Sequence, residues 1–123
     1  MNLTSTNTNS LNGEIICPGD KSISQRILIL GSLLNCDMEI SGFLDAKDPN
    51  STLNALNEIG ASIKKSGRKV ILCKRETPFT KPSQNLNLGN SGTGMRLMTG
   101  LISGLGINAK LVGDSSLSKR PMS

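Results

Sequence analysis

Gly19-Asp-Lys-Ser-Ile-Ser-Gln-Arg26 and Gly89-Asn-Ser-Gly-Thr-Gly-Met-Arg96 are the two stretches whose comparison decides the fold. Sliding the chain against itself by about seventy residues lays glycine over glycine and arginine over arginine, with an apolar pair following each: Ile27-Leu28 and Leu97-Met98. Self-similarity at so long a period marks a supersecondary unit used more than once.

Working outward from the first copy, Gly13-Glu-Ile-Ile-Cys17 reads as a short strand that Pro18-Gly19-Asp20 ends. From Lys21 to Leu34 the residues Ile23, Ile27, Leu30 and Leu34 recur at helical spacing and share one face. Met38 to Leu44 reads as a second strand, and Asp48-Pro49 offers an N-cap followed by proline at the first helical position. Leu53, Leu56 and Ile59 form the buried stripe of that second helix, and Gly60 stands at its C-terminal cap. Two strands, Ala61 to Lys65 and Val70 to Lys74, follow around a turn at Ser66-Gly67-Arg68. Around the second copy, Asn85 to Leu88 is predicted as strand, Gly92 to about Leu105 as helix and Ile107 to Val112 as strand.

The predicted organisation is a polar arm over 1–12, a βαβαββ unit over 13–84 and a second, truncated unit over 85–123. Asp48-Pro49-Asn50 falls over Ser118-Lys119-Arg120, so the sequence stops where the second unit's second helix is due. The expectation is an α/β chain of about one and a half units, with an unfinished face that another portion or a second copy would cover.

Composition narrows the functional classes. Of 123 residues 36% are hydrophobic and 2% aromatic, so aliphatic side chains must build one modest core. The net charge of +5 favours anionic ligands, but its cations are dispersed and no aromatic ladder offers base stacking, which argues against nucleic acid. Cys17, Cys36 and Cys73 lack CxxC spacing and the chain has no histidine, so no metal site is predicted and the thiols read as reduced, buried packing residues. No signal-peptide pattern and no membrane-length apolar run is present, giving a cytoplasmic expectation.

The chemistry gathers at the helix starts. A helix N-terminus presents unpaired N–H groups and the positive end of the macrodipole, which favour phosphate or carboxylate. Lys21 adds a point charge, Ser22 a hydroxyl and Arg26 a planar fork. The second copy's glycines, Gly89, Gly92 and Gly94, expose backbone to a ligand, and Arg120 is expected at a third helix start capped by Ser118. Read alone, each is an ordinary cap, turn or solvated charge. Two aligned anion-ready helix starts point to a ligand with several negative groups or to two anions side by side.

Pro18-Gly-Asp-Lys-Ser-Ile-Ser-Gln-Arg26, Gly89-Asn-Ser-Gly-Thr-Gly-Met-Arg96 and Leu117-Ser-Lys-Arg-Pro-Met122 resemble, in order and separation, three motifs of the 5-enolpyruvylshikimate-3-phosphate synthase family. The resemblance implies an inside-out α/β barrel of βαβαββ units with helix N-termini facing a cleft. It also implies enolpyruvyl transfer from phosphoenolpyruvate to the 5-hydroxyl of shikimate 3-phosphate, in the shikimate pathway, without metal or organic cofactor. Carried over by motif, Lys21, Ser22 and Arg26 would hold shikimate 3-phosphate, and Lys21, Gly92 and Arg120 phosphoenolpyruvate. Asn90 and Arg96 would shape the loop and brace the helix. No catalytic residue falls in this stretch, since the family's proton-transferring Asp and Glu correspond to positions beyond Ser123, and a chain inactive alone is expected. Gln25 departs from the family, which often has His or Asn there. The related UDP-N-acetylglucosamine enolpyruvyl transferases are disfavoured because Leu117-Ser-Lys-Arg-Pro lacks their reactive Cys. The alternative of another class is a stand-alone anion-binding module without catalysis.

Overall fold

The computed structural model describes residues 2–122, so the outermost positions of the first and last predicted segments, Met1 and Ser123, lie outside it. Helix α1 (Lys21–Leu34) starts at Asp20, whose carboxylate accepts the Ile23 N–H at 2.7 Å, and stops at Asn35, which adopts φ +50. Asp at an N-cap and Asn in the left-handed region both follow from short polar side chains that bond locally. Helix α2 (Lys47–Glu58) closes with two reverse bonds, Gly60 N–H to Asn57 O and Ala61 N–H to Leu56 O, each 3.0 Å, with Gly60 at φ +98. This is the Schellman arrangement predicted by the glycine's place in the sequence.

Strands β1 (Met38–Ile40), β2 (Ser62–Ser66) and β3 (Lys69–Cys73) form an antiparallel sheet of order β1-β3-β2, with Met38 opposite Leu72 and Ser62 opposite Cys73. Gly67 and Arg68 make the hairpin turn, Gly67 at φ +56. Along β3 the side chains alternate, Val70 and Leu72 inward and Lys69 and Ile71 outward. Strands β4 (Leu86–Asn87) and β5 (Leu111–Val112) pair in parallel across helix α3 (Gly92–Leu105), and a 3₁₀ turn (Leu117–Lys119) follows. Leu28, Leu56, Ile59, Val70, Leu86 and Met98 lie at the centre of the core, each about 1.5–3 kcal/mol of transfer free energy when fully buried. The mixed helix-and-strand architecture agrees with the α/β expectation.

Several elements differ from expectation. Residues 13–17 form no strand, and Ile15 and Ile16 stand exposed, because no other strand of the described residues lies alongside to complete the ladder. The strand expected over Met38 to Leu44 ends at Ile40, before Gly42 turns the chain at φ +74. The strand expected from Ile107 begins at Leu111. Helix α2 starts at Lys47, so Pro49 falls inside its first turn, where its missing N–H costs nothing.

Ile23, Leu30 and Leu34 do share a face of α1, but that face is exposed, Ile23 at 67%. The helix buries Ser24, Gln25, Leu28, Ile29, Gly31 and Ser32 instead. A Cβ on Gly31 would lie 2.8 Å from Leu72 Cδ2, so the lack of a side chain lets α1 settle directly on β3. The cysteines are free thiols, as read, but they are not buried: Cys17 and Cys36 are exposed and Cys73 partly so.

Candidate functional site

The three helices converge at their N-terminal ends on one buried amide. Gln25, in the second turn of α1 and fully shielded from solvent, donates from Nε2 to Ser91 Oγ at 2.7 Å and to Thr52 Oγ1 at 3.0 Å. Asp48 O lies 3.4 Å from the same nitrogen. Ser91 is the N-cap of α3, its hydroxyl accepting the Gly94 N–H at 2.9 Å, and Thr52 belongs to α2. A Cβ on Gly94 would sit 2.8 Å from Ser91 Oγ, 2.9 Å from Thr52 Oγ1 and 3.1 Å from Gln25 Nε2, so that position admits only hydrogen.

Around this hub stand the cations. Lys21 Nζ, at the first residue of α1, pairs with Asp48 Oδ2 in the first turn of α2 at 3.1 Å. Arg26 folds back on its own helix, Nη1 donating to Ser22 O at 3.2 Å, and Arg96 repeats that geometry on α3 with Gly92 O at 3.5 Å. A Cβ built on Gly92 would meet Arg120 Nη1 at 3.1 Å and Arg96 Nη1 at 3.4 Å, which places two guanidinium groups beside the first residue of α3. Arg120 is fixed there by Asn90, whose Oδ1 accepts from Nη2 at 2.6 Å, and Asn90 Nδ2 in turn donates to Asp114 Oδ2 at 2.7 Å. Asp114 Oδ1 accepts the Leu117 N–H at 2.7 Å, capping the 3₁₀ turn. That backbone bond, then the Asn90 amide and the nearby Arg120 charge hold the Asp114 carboxyl below its ordinary value.

The candidate residues therefore fall into two groups. Lys21, Ser22 and Arg26 occupy the first two turns of α1; Gly92 and Arg120 gather with Asn90 and Arg96 at the start of α3. Arg120 does not open a third helix as expected. The 3₁₀ turn ends there and Arg120 is extended, at φ −81 and ψ 135, while Ser118 donates to Asp114 O at 2.8 Å rather than capping forward. The loop and brace roles read for Asn90 and Arg96 have a counterpart in the Asn90 bridge and in Arg96 Nη2 donating to Pro121 O at 2.8 Å. Three further participants escaped the sequence: Asp48 as partner of Lys21, Asp114 behind Asn90, and the Gln25 hub. Only the last had a signal, its departure from the His or Asn that the family often has there, since apolar periodicity put Gln25 on the outward side of α1.

A cleft of about 460 Å³ opens between Asp48, Asn50, Asn90 and Asp114. A larger one, about 750 Å³, lies between α2 and the strand β4, but Glu58 is its only charged wall residue and it offers an anion no cation. Among the described residues no group of His, Cys, Asp and Glu could hold a metal, and no helix is long and apolar enough to cross a membrane.

Comparison with known proteins converges on one family. Residues 5–123 match the family described as EPSP synthase (3-phosphoshikimate 1-carboxyvinyltransferase). A 3-phosphoshikimate 1-carboxyvinyltransferase of Petrotoga mobilis is 47% identical over 99% of this chain and 29% of its own length. One of Streptococcus pyogenes serotype M49 is 45% identical over 95% of this chain and 28% of its own. The solved EPSP synthase from Acinetobacter baumannii superposes with a TM-score of 0.77 at 36% identity, covering 89% of this chain and 26% of that one. The chain thus spans less than a third of the length of these relatives. With the family match over residues 5–123 and the superposed structure in agreement, the chain belongs to the EPSP synthase family.

Proposed function

We propose that this chain supplies the anion-binding helix starts for enolpyruvyl transfer from phosphoenolpyruvate to the 5-hydroxyl of shikimate 3-phosphate. The observation that carries the proposal is the convergence of α1, α2 and α3 at Gln25, which sets Lys21 and the Gly92–Arg120 cluster around one polar centre. In that reaction C3 of phosphoenolpyruvate gains a proton and the 5-oxygen adds to C2. The tetrahedral adduct then expels phosphate and returns the C3 proton. Two phosphorylated substrates repel each other, and the cations offset that repulsion at reacting distance.

Lys21, Ser22 and Arg26 take shikimate 3-phosphate; Lys21, Gly92 and Arg120 take phosphoenolpyruvate. Proton transfer belongs to groups outside this stretch, so the chain binds without turning over unless the remaining portion of the enzyme, or another source of those groups, joins it. Residues 13–84 and 85–123 act as successive repeat units after the arm 1–12, in a cytoplasmic enzyme with small-molecule partners and no nucleic acid. Self-association of the chain would be a second way to cover the exposed α1 face.

The test is titration of the purified chain with shikimate 3-phosphate, with and without phosphoenolpyruvate, followed by amide NMR. Saturable shifts at Lys21, Ser22, Arg26 and Gly92 are expected. A dispersed spectrum that does not respond would overturn the proposal. Equal response to inorganic phosphate and to shikimate 3-phosphate would favour a stand-alone anion module.

A further inference from the structure

We propose that Gln25 is a positioning residue for both anion groups, acting through the hydrogen bond that ties the N-cap of α3 to α1 and α2. Two observations carry this. Its amide nitrogen is the only described side-chain donor that reaches Thr52 on α2 and Ser91 at the α3 cap together. Ser91 is itself shielded and holds the Gly94 N–H, so the orientation of the first turn of α3 depends on where that hydroxyl is fixed. The path is continuous in the other direction. Asp48 receives Gln25 weakly at its carbonyl and Lys21 at its carboxylate, so the same amide also braces the base of the Lys21 pair.

The role is polar and not a matter of filling space. Gln25 Oε1 has no partner among the described side chains and backbone, so this buried residue is retained on α1 at the cost of an unmet acceptor. An apolar side chain of equal length would avoid that cost and would break the tie. The donor end is therefore the functional end.

Three variants separate this from packing. Gln25→Met keeps length and volume and removes the donor, Gln25→Ala removes both, and Gln25→Asn keeps the amide but shortens its reach by one carbon. Amide hydrogen exchange of the unliganded chain gives the first readout. Exchange at Gly94 is expected to rise about tenfold in Gln25→Met and Gln25→Ala, relative to amides of β3 that report global opening. Unchanged exchange at Gly94 in Gln25→Met, with β3 protection intact, would overturn the proposal. Should the Met variant lose β3 protection as well, Gln25→Asn supplies the same comparison in a polar background, and wild-type exchange at Gly94 there would overturn it.

The second readout rests on the functional reading above and uses phosphoenolpyruvate and shikimate 3-phosphate as probes. In Gln25→Met both should bind about fivefold more weakly or worse, in parallel with the change at Gly94. Full wild-type affinity for both probes beside fast Gly94 exchange would overturn the positioning role. If wild-type chain binds neither probe while Gly94 exchange responds as stated, the functional reading fails and the tie between the helix starts stands.

Discussion

Lys21 Nζ and Asp48 Oδ2 lie 3.1 Å apart, so the half-exposed cation at the first residue of α1 is already paired with a carboxylate of α2. The pairing can help an anion by orienting Lys21 or oppose it by repulsion, and magnitudes decide. An exposed ion pair is worth only about 0–1 kcal/mol, so little orientation is gained. A carboxylate about 6 Å from an incoming dianion costs about 1 kcal/mol even in water. Asp48→Asn should therefore tighten inorganic phosphate binding about fivefold, whereas Lys21→Ala should weaken it about tenfold. Isothermal titration at fixed low salt checks both signs, and a weaker Asp48→Asn would show that orientation dominates.

Gly92 and Gly94 are two residues apart and should answer alanine differently. At Gly92 the new methyl meets the guanidinium ends of Arg120 and Arg96 at 3.1 and 3.4 Å, long side chains that need give only a few tenths of an ångström, so folding stability should change by less than about 0.5 kcal/mol while phosphate affinity at this helix start falls. At Gly94 it meets Ser91, Thr52 and Gln25 below 3.2 Å, three groups locked by one another. Overpacking of that kind costs about 1–3 kcal/mol. Urea midpoints of the two variants provide the comparison.

Arg75 closes the far end of α1. Its guanidinium lies 3.7 Å from the centre of the Phe79 ring, Nη2 donates to Ser32 O at 3.1 Å and Nη1 to Thr77 O at 3.3 Å. Lysine keeps the charge but cannot reach two carbonyls while stacked on a ring. Arg75→Lys should lose about 1–2 kcal/mol, read as a lower urea midpoint with unchanged slope.

Asp114 gives the fold a dependence on pH of known sign. Its carboxyl is held below 3.8 by the Leu117 N–H and Asn90, so the folded state favours the ionised form. Its contribution is complete at neutral pH, begins to fade as pH falls below 3.8 and is lost below the folded value. Asp114→Asn should be less stable than wild type at pH 7, and the gap should close in acid. A gap that persisted unchanged at pH 3 would remove ionisation from the account.

Sequence and structure agree where local chemistry acts alone. Helix α3 lies where the sequence puts it, from Gly92 to about Leu105, and the structure adds the Ser91 cap and Gly106 at φ +66 that bound it. Leu53, Leu56 and Ile59 were read as the buried stripe and are buried. Agreement fails where burial depends on distant neighbours. Ile23, Leu30 and Leu34 of α1 point outward because Ser24, Ser32 and Gly31 lie on the buried side and Gly31 permits the close approach to β3, a choice that apolar periodicity cannot express. The family motifs point to Lys21, Gly92 and Arg120, but Asp48 lies 27 residues from the Lys21 it pairs with, Asn90 lies 30 from Arg120, and Asp114 lies 24 from the Asn90 it braces. Their partnership exists only in three dimensions.

The Gln25–Ser91 bond closes a span of 66 residues, whereas the β2–β3 hairpin closes across a two-residue turn. Loop entropy favours the hairpin early and the helix-start junction late in folding, which predicts low φ-values for Gln25 and Ser91. An anion seated there would act chiefly on the unfolding rate, leaving the folding rate nearly unchanged. The ligand would prolong the lifetime of the native chain without hastening its arrival.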